Sequence, residues 1–375
     1  VVVKINILQV ISGNDNGGGG NHVVNICSSN IFDMKCKIAC IGEGDLYKKA
    51  KELSIPAVSF TFKEMIKGSL VKYIKENGID IVNFHGPKAN FIYLLIKKSL
   101  PIPAVTTIHS DYRYDFLNDK KKKYLYTPLS TIALKKFNNY ICVSNYLKEL
   151  LEHKNFKGKK YVIPNGINFK KYNVKIDRDE LRKKYNLKND DFIYIMVARM
   201  HPIKNHINLI KAFNILQNDF SDVKMIFLGN GELEGELIKL VNDLNIKDKV
   251  IFAGFNENSI DFINASDVSI LTSFNEGGAP PLVILESALV KKVAICSEVG
   301  DMPLIINSSN GFLINPYSEQ DIYDKMKNVY LNKEQLGIMG ENLYNDTLNK
   351  FSIEAFWENY HKAYKEILTG SEVNE

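Results

Sequence analysis

Phe274-Asn275-Glu276-Gly277-Gly278-Ala279-Pro280-Pro281-Leu282-Val283-Ile284-Leu285-Glu286 is the stretch around which the rest of the chain is arranged. It follows an apolar run at residues 267–273, which reads as a buried parallel strand. After it, Leu282, Leu285 and Leu289 fall at helical spacing. A loop of glycines and prolines thus joins the C-terminal end of a strand to a helix, with a carboxylate on each side. In open α/β sheets, ligands bind at that edge. Two acids there can accept hydrogen bonds from the hydroxyls of a sugar or ribose.

Outward from this loop the same alternation fills the chain. In the first half, β-rich runs at 4–10, 35–41, 79–84, 104–108, 140–143 and 161–163 alternate with helical patterns such as 64–77, 88–99, 119–137 and 145–153. Pro164-Asn165-Gly166 and the charged stretch after it read as a linker. The pattern then restarts with runs at 192–198, 223–228, 250–253, 268–271, 293–296 and 311–314. Strands alternating with helices predict parallel βαβ units. The expectation is an α/β chain of two Rossmann-like, doubly wound domains facing a central cleft, divided as residues 1–168 and 169–350. A final helix at 351–369, with Phe356, Trp357, Tyr360 and Tyr364 on one face, completes the first domain. Residues 370–375 are polar and read as frayed.

Length and composition set outer bounds. The 375 residues suffice for two domains, and 45% hydrophobic with 24% charged residues is ordinary for a globular chain. No apolar run approaches the roughly 18 residues needed to cross a bilayer. Residues 1–10 read as a short strand rather than a secretory signal. The five cysteines form no CxxC pair, which suits reduced thiols in a cytoplasmic protein. The net charge of +5 hides an asymmetry: residues 1–165 carry 25 Lys+Arg against 13 Asp+Glu, and the remainder 23 against 30. A basic half favours an anionic partner, and a solvated surface explains it equally well.

Several short motifs stand at strand ends. Gly17-Gly18-Gly19-Gly20 follows the first strand and precedes a helical run at 21–30, so it reads as a close-approach anion site or as a flexible loop. Gly229-Asn230-Gly231-Glu232-Leu233-Glu234-Gly235 is a near-match to GxGxxG with its third glycine one residue late, and is weak evidence for NAD. Arg199 leaves a strand tip and Lys204 opens the next helix; together they could neutralise a diphosphate, or be two surface charges. His22, His85 (before Gly86-Pro87-Lys88) and His109 (before Ser110-Asp111) lie near strand ends without metal-ligand spacing, so no metal is assigned. Asp177-Arg178-Asp179 could be a metal-binding DxD, but an N-cap with first-turn acids explains it better. Lys120–Lys123 with the nearby tyrosines makes a basic segment suited to anionic lipid or to solvent. Nothing resembles a nucleic-acid-binding signature, so nucleic acid is not an expected partner.

In this order, over nearly the whole chain, these features resemble the retaining glycosyltransferases of family 4, which have the GT-B fold. The resemblance rests on the glycine loop, His85-Gly86-Pro87-Lys88, His109-Ser110-Asp111, Val143-Ser144-Asn145, Ile163-Pro164-Asn165-Gly166-Ile167, Arg199 with Lys204, Gly229-Asn230-Gly231-Glu232, and the stretch quoted first. It implies a nucleotide-sugar donor, as co-substrate and with no cofactor, bound mainly by the second half, and an acceptor against the first. Arg199 and Lys204 would hold the diphosphate, Glu286 the ribose, and Glu276 the transferred sugar. Gly277, Gly278, Ala279, Pro280 and Leu282 would assist at sugar and phosphate, with Gly231 and Gly254 also on the donor side. Gly19 and Gly20 would close on the phosphates. Gly18, His85, Lys88 and Asp111 would face the acceptor, and His109 would sit beside the reacting sugar. Family members commonly separate the two glutamates by seven residues, whereas nine lie between Glu276 and Glu286; Glu286 matches more securely.

The expected function is a metal-independent glycosyltransferase. It would move a hexosyl or N-acetylhexosaminyl group to a saccharide or lipid-linked acceptor in cell-surface polysaccharide or glycoconjugate synthesis. An anionic membrane surface is a further expected partner, placing the protein in the cytoplasm or peripherally on the inner face of the membrane. A nucleotide-sugar epimerase of the same fold, or a non-catalytic nucleotide-sugar-binding or membrane-docking module, is the alternative.

Overall fold

The computed structural model describes residues 4–15, 17–29, 33–114, 128–276 and 280–370. The chain forms two compact units, Val1–Gly166 with Ile353–Glu375, and Ile167–Ser352. The charged segment at 120–123, part of the pattern at 119–137, and residues 371–375 lie outside the described residues; 128–134 are helical.

The first unit is a sheet of β1 (Ile5–Ser12), β2 (Met34–Ile41), β3 (Ala57–Phe60), β4 (Ile81–His85), β5 (Ala104–Ile108), β6 (Asn139–Cys142) and β7 (Lys159–Val162). Its order is β3-β2-β1-β4-β5-β6-β7, and every pair is parallel. The second contains β8 (Phe192–Val197), β9 (Val223–Leu228), β10 (Val250–Gly254), β11 (Val268–Leu271), β12 (Val293–Ser297) and β13 (Gly311–Ile314), ordered β10-β9-β8-β11-β12-β13 and again all parallel. Both orders reverse direction once, between β1 and β4 and between β8 and β11. These are Rossmann-like sheets, two of which make up the GT-B fold, and each reversal is a topological switch point where loops diverge to opposite faces.

Three sequence expectations need correction. A seventh strand, β3, joins the first sheet; it is a four-residue edge strand, half-buried throughout, and too short to announce itself as a strand. The expected helix at 64–77 is two helices, Phe62–Ile66 and Ser69–Glu76, broken at Gly68, whose φ of 108° is left-handed. The glycine loop is also shorter than expected, because Gly18, Gly19 and Gly20 form the first turn of the helix Gly18–Cys27.

The helix Ile353–Thr369 buries Ile353, Phe356, Tyr360, Ala363 and Tyr364 at three- and four-residue spacing. That stripe packs on Ile5, Ile7, Ile81, Val105 and Ile141 of the first sheet. Trp357 Nε1 donates to the carbonyl of Asn25 at 2.7 Å, tying this helix to Gly18–Cys27. Asp177 caps the helix Arg178–Lys184, its side chain accepting from the backbone N–H of Asp179, which is the capping role expected of the DxD-like triplet.

The second unit carries one large buried cation. Arg182 is 1% exposed and donates to the carbonyls of Ala265, Lys188, Asn189 and Asp191 and to Asp267 Oδ2. One guanidinium thereby satisfies the carbonyls at several chain turns below the sheet. Replacing it leaves those oxygens and Asp267 underpaired, so Arg182→Met is expected to destabilise this unit by about 3 kcal/mol, read as a lower denaturant midpoint of the corresponding transition.

Candidate active site

Beside the switch point of the second sheet, the loops after β8 and β9 meet by their backbones. Met200 N–H donates to the Asn230 carbonyl at 2.9 Å, and the Met200 carbonyl accepts from Leu233 N–H at 3.1 Å. This closeness requires glycine: a Cβ on Gly229 (φ 141°) would stand 2.2 Å from the Ala198 carbonyl oxygen, and one on Gly231 2.3 Å from that of Met200. The glycine motif after β9 thus serves to hold the loop after β8.

That loop delivers Arg199 and Lys204. Lys204 ends the 3-10 turn Pro202–Lys204, which is stopped by Asn205 in a left-handed conformation. Thr272, just past β11, donates its hydroxyl to the carbonyls of Lys204 and Asn205 at 3.1 and 3.2 Å, and Phe274 N–H donates to the Ile203 carbonyl at 2.8 Å. The turn is therefore fastened across the switch point to the strand that leads into the first-quoted stretch.

Across that junction, Lys204 Nζ donates to both oxygens of Glu276, at 2.7 and 2.8 Å. The lysine side chain is 24% exposed and the glutamate 9%. His206 beside them contributes no charge, because burial first and Lys204 second push its pKa down to about 4. Arg199 is the exposed member, at 69%, and pairs with Glu232 at 3.0 Å. Glu286 lies in the helix Leu282–Leu289 and accepts from the Ser259 hydroxyl at 2.8 Å. Burial raises its pKa above the ordinary carboxyl value, against the lowering effect of Ser259. Pro280 is buried, Leu282 is exposed, and Gly254 ends β10 with φ 70° while its carbonyl accepts from Gly229 N–H. Gly277, Gly278 and Ala279 lie outside the described residues.

The first sheet gathers different chemistry at its switch point. His22, His85 and His109 converge: His85 Nδ1 is 2.9 Å from His109 Nε2, and the His22 and His109 rings are 4.7 Å apart edge to face. Burial, and for His22 and His85 the neighbouring imidazoles, hold all three below the ordinary histidine range, His109 at about 4. They are neutral hydrogen-bonding groups at neutral pH. Of the expected acceptor residues, Lys88 is exposed near the start of the helix Gly86–Ile96. Asp111 is buried and committed to Arg113, whose Nε reaches its two oxygens at 2.8 and 3.0 Å, with Tyr146 at 3.4 Å. Burial alone would raise the Asp111 pKa, but the Arg113 hydrogen bonds bring it below the usual value.

Sequence reasoning missed several partners. Asp15 Oδ1 accepts from the backbone N–H of Gly17 and Gly20 at 3.1 and 3.0 Å, so a carboxylate of the chain itself occupies the glycine-rich helix start. Cβ atoms on Gly19 and Gly20 would lie 2.9 and 2.1 Å from Asp15 atoms, which is why glycine is needed there. Gln9, Ser259, Tyr360 and Tyr364 were also unforeseen as site partners. A polar residue inside the apolar run of β1 was the available signal for Gln9. Among the described residues, no group of three or more His, Cys, Asp or Glu side chains could hold a metal ion, and no helix is long and apolar enough to cross a membrane.

Residues 177–346 match the family described as Glycosyl transferases group 1, and residues 54–171 that described as Glycosyltransferase Family 4. The chain is 30% identical over 294 residues to the UDP-Gal:alpha-D-GlcNAc-diphosphoundecaprenol alpha-1,3-galactosyltransferase of Escherichia coli, covering 76% of this chain and 75% of that one. Among solved structures, a glycosyltransferase from Rickettsia africae superposes with a TM-score of 0.81 at 23% identity, covering 98% of this chain and 100% of that one. The Anabaena HepE protein in complex with UDP gives 0.79 at 18% identity, covering 96% and 100%. These two likenesses establish the fold.

The Glu286 environment makes a signed prediction. Ser259→Ala removes the one hydrogen bond that opposes the effect of burial, so a carbon-13 carboxyl NMR titration is expected to move the Glu286 midpoint to higher pH. An unchanged or lower midpoint contradicts this account of the pair.

Proposed function

The chain belongs to family 4 of the glycosyltransferases (glycosyl transferases group 1), and on that premise we propose that it transfers a sugar from a uridine-diphosphate donor to a lipid-linked saccharide, with retention of configuration. The observation that carries this reading is the Lys204–Glu276 pair at the switch point of the second sheet. A cation suited to phosphate and a carboxylate suited to sugar hydroxyls stand side by side, each delivered by a different strand.

Without a donor, each of these charges is the other's counterion. A bound diphosphate competes for Lys204 and for Arg199, whose present partner Glu232 is itself half-exposed. Once released, Glu276 accepts hydrogen bonds from the donor sugar, and Glu286 accepts from the ribose. As the bond from anomeric carbon to phosphate oxygen breaks, negative charge grows on the leaving diphosphate, where the two cations stabilise it. That oxygen then takes the acceptor hydroxyl proton as the new bond forms on the same face. Charge neutralisation by Arg199 and Lys204 replaces a divalent ion in this scheme. The first unit, through Gly18, His85 and Lys88 at its own sheet edge, takes the acceptor, and His109 stands beside the reacting sugar.

The donor and acceptor classes draw on the relatives. The Anabaena structure contains UDP, and the Escherichia coli enzyme is named for UDP-Gal and a diphosphoundecaprenol acceptor. An acceptor anchored in lipid asks for a surface that meets the membrane. The first unit has a groove lined by Ile66, Lys67, Val71, Lys72, Lys75, Glu76 and Leu95, with Glu76 3.8 Å from Lys72. Ile66 is 36% and Leu95 51% exposed, so exposed apolar side chains stand among three lysines and one glutamate, a net-basic surface complementary to anionic lipid headgroups on the inner face of a cytoplasmic membrane.

Four measurements test this. Glu286→Ala and Arg199→Ala are each expected to lower transfer about a hundredfold or more without shifting the thermal unfolding midpoint, and wild-type transfer by either would refute its assignment. Glu276→Gln removes the competitor for Lys204, so it is expected to bind free UDP more tightly while transferring more slowly; weaker UDP binding contradicts the exchange of partners. Wild-type protein is expected to float with vesicles containing phosphatidylglycerol at low salt and not with phosphatidylcholine alone. The triple variant Lys67→Glu, Lys72→Glu, Lys75→Glu should lose that flotation, and transfer should persist in EDTA.

A further inference from the structure

The register of the first sheet sets Gln9 of β1 opposite Asn83 of β4, and both reach the same side chain. Gln9 Nε2 lies 3.1 Å and Asn83 Nδ2 3.0 Å from the hydroxyl of Tyr364, which is fully buried on the helix Ile353–Thr369. Anchored there, Gln9 turns its carbonyl oxygen, Oε1, toward His85 Nε2 at 2.7 Å.

A carbonyl oxygen can only accept, so His85 carries its proton on Nε2 and leaves Nδ1 as a lone pair. His85 Nδ1 faces His109 Nε2 at 2.9 Å. With one lone pair already in that gap, His109 must supply the proton from Nε2. His85 is 3% exposed, and burial and its neighbours keep it neutral, so the alternation of donor and acceptor is unbroken along the row. His109 then has an unprotonated Nδ1, which makes no hydrogen bond with any described residue. Nearby, His22 is held by Asn165 Oδ1 and the Tyr360 hydroxyl, both at 2.6 Å, so it does not compete for His109 through a hydrogen bond.

We propose that Gln9 and His85 are positioning residues that hold His109 as its Nε2–H tautomer, so that Nδ1 is presented as a hydrogen-bond acceptor to a hydroxyl of the bound saccharide. The proposal deepens the transferase reading above and rests on it for the identity of the ligand. It also gives the C-terminal helix a chemical task. Tyr364 anchors the Gln9 amide, and through two hydrogen bonds the amide decides which face of His109 is basic. Reversing the amide would reverse every proton in the row and turn Nδ1 into a donor.

The test reads the tautomer directly. Long-range proton–nitrogen correlation spectra of nitrogen-15-histidine-labelled full-length protein, with the His109 signals identified by their loss in His109→Gln, are expected to show a protonated Nε2 and an unprotonated Nδ1. Gln9→Met, which has no amide, is expected to give mixed His109 tautomers and about a tenfold lower kcat with little change in donor KM, the scale of one lost hydrogen bond. Gln9→Glu restores an obligate acceptor and is expected to restore the Nε2–H form and recover most of the lost kcat, which a purely packing role for Gln9 would not produce. An Nδ1–H tautomer in the wild type overturns the proposal whatever the protein transfers. So does a Gln9→Met variant that keeps both a single tautomer and full kcat. Failure of the wild-type protein to transfer from any UDP-sugar would instead strike the functional reading, with the spectra standing apart from it.

Discussion

Successive parallel strands need crossover helices, and each sheet reverses its strand order once, so the loops leaving β1 and β4, or β8 and β11, diverge to opposite faces. The gap between such loops is a concave edge floored by strand ends, and chemistry-bearing residues on adjacent strands project there without competing for core space. In the second unit the gap is narrowed by backbone pairing and by Thr272, which fixes the turn carrying Lys204 to the far side. In the first unit it is filled by imidazoles.

The two edges handle charge in opposite ways. The second keeps ionised groups and pairs them: Lys204 with Glu276, and Arg199 with Glu232. Pairing offsets the desolvation that a half-buried ion would otherwise incur, and a ligand of the right charge can trade places with a counterion. The first edge keeps its three histidines un-ionised. Its histidines are buried, neutral and linked to amides and phenols, so orientation is held by directional hydrogen bonds rather than by Coulomb attraction. Such a surface discriminates by donor and acceptor pattern, which suits hydroxyl-rich ligands.

The strands of both sheets could be read because parallel strands covered on both faces read as near-continuous apolar runs, as in residues 192–197 and 293–296. β3 escaped because a four-residue edge strand, Ala57–Phe60, is too short for its apolar residues to stand out as a run. The two-helix break at Gly68 escaped for a different reason, since an isolated glycine does not declare its φ in advance. At the site, the positions of Arg199, Lys204, Glu276, His85 and His109 beyond strand ends were legible from their place after apolar runs, whereas His22 lies inside the helix Gly18–Cys27 rather than at a strand end. Their partners were not. Ser259 and Tyr364 are joined to their targets by tertiary contacts that no local spacing encodes, and Glu276 meets Lys204 across 72 positions of sequence. The nine residues between Glu276 and Glu286 disturb a counted spacing, yet Glu276 still reaches the junction because its position is set by β11 before the loop begins.

The chain enters the second unit at Ile167 and leaves it at Ser352, which form a parallel bridge, and Ile167 N–H donates to the Phe351 carbonyl at 2.8 Å. The second unit is therefore an insertion within the first. On a ribosome, all of residues 167–352 are made before the helix Ile353–Thr369, although the first unit began earlier. Until that helix emerges, Gln9, Asn83 and His22 lack Tyr364 and Tyr360, and an apolar face of the first sheet stands uncovered. The domain whose synthesis starts first is thus the one whose folding ends last.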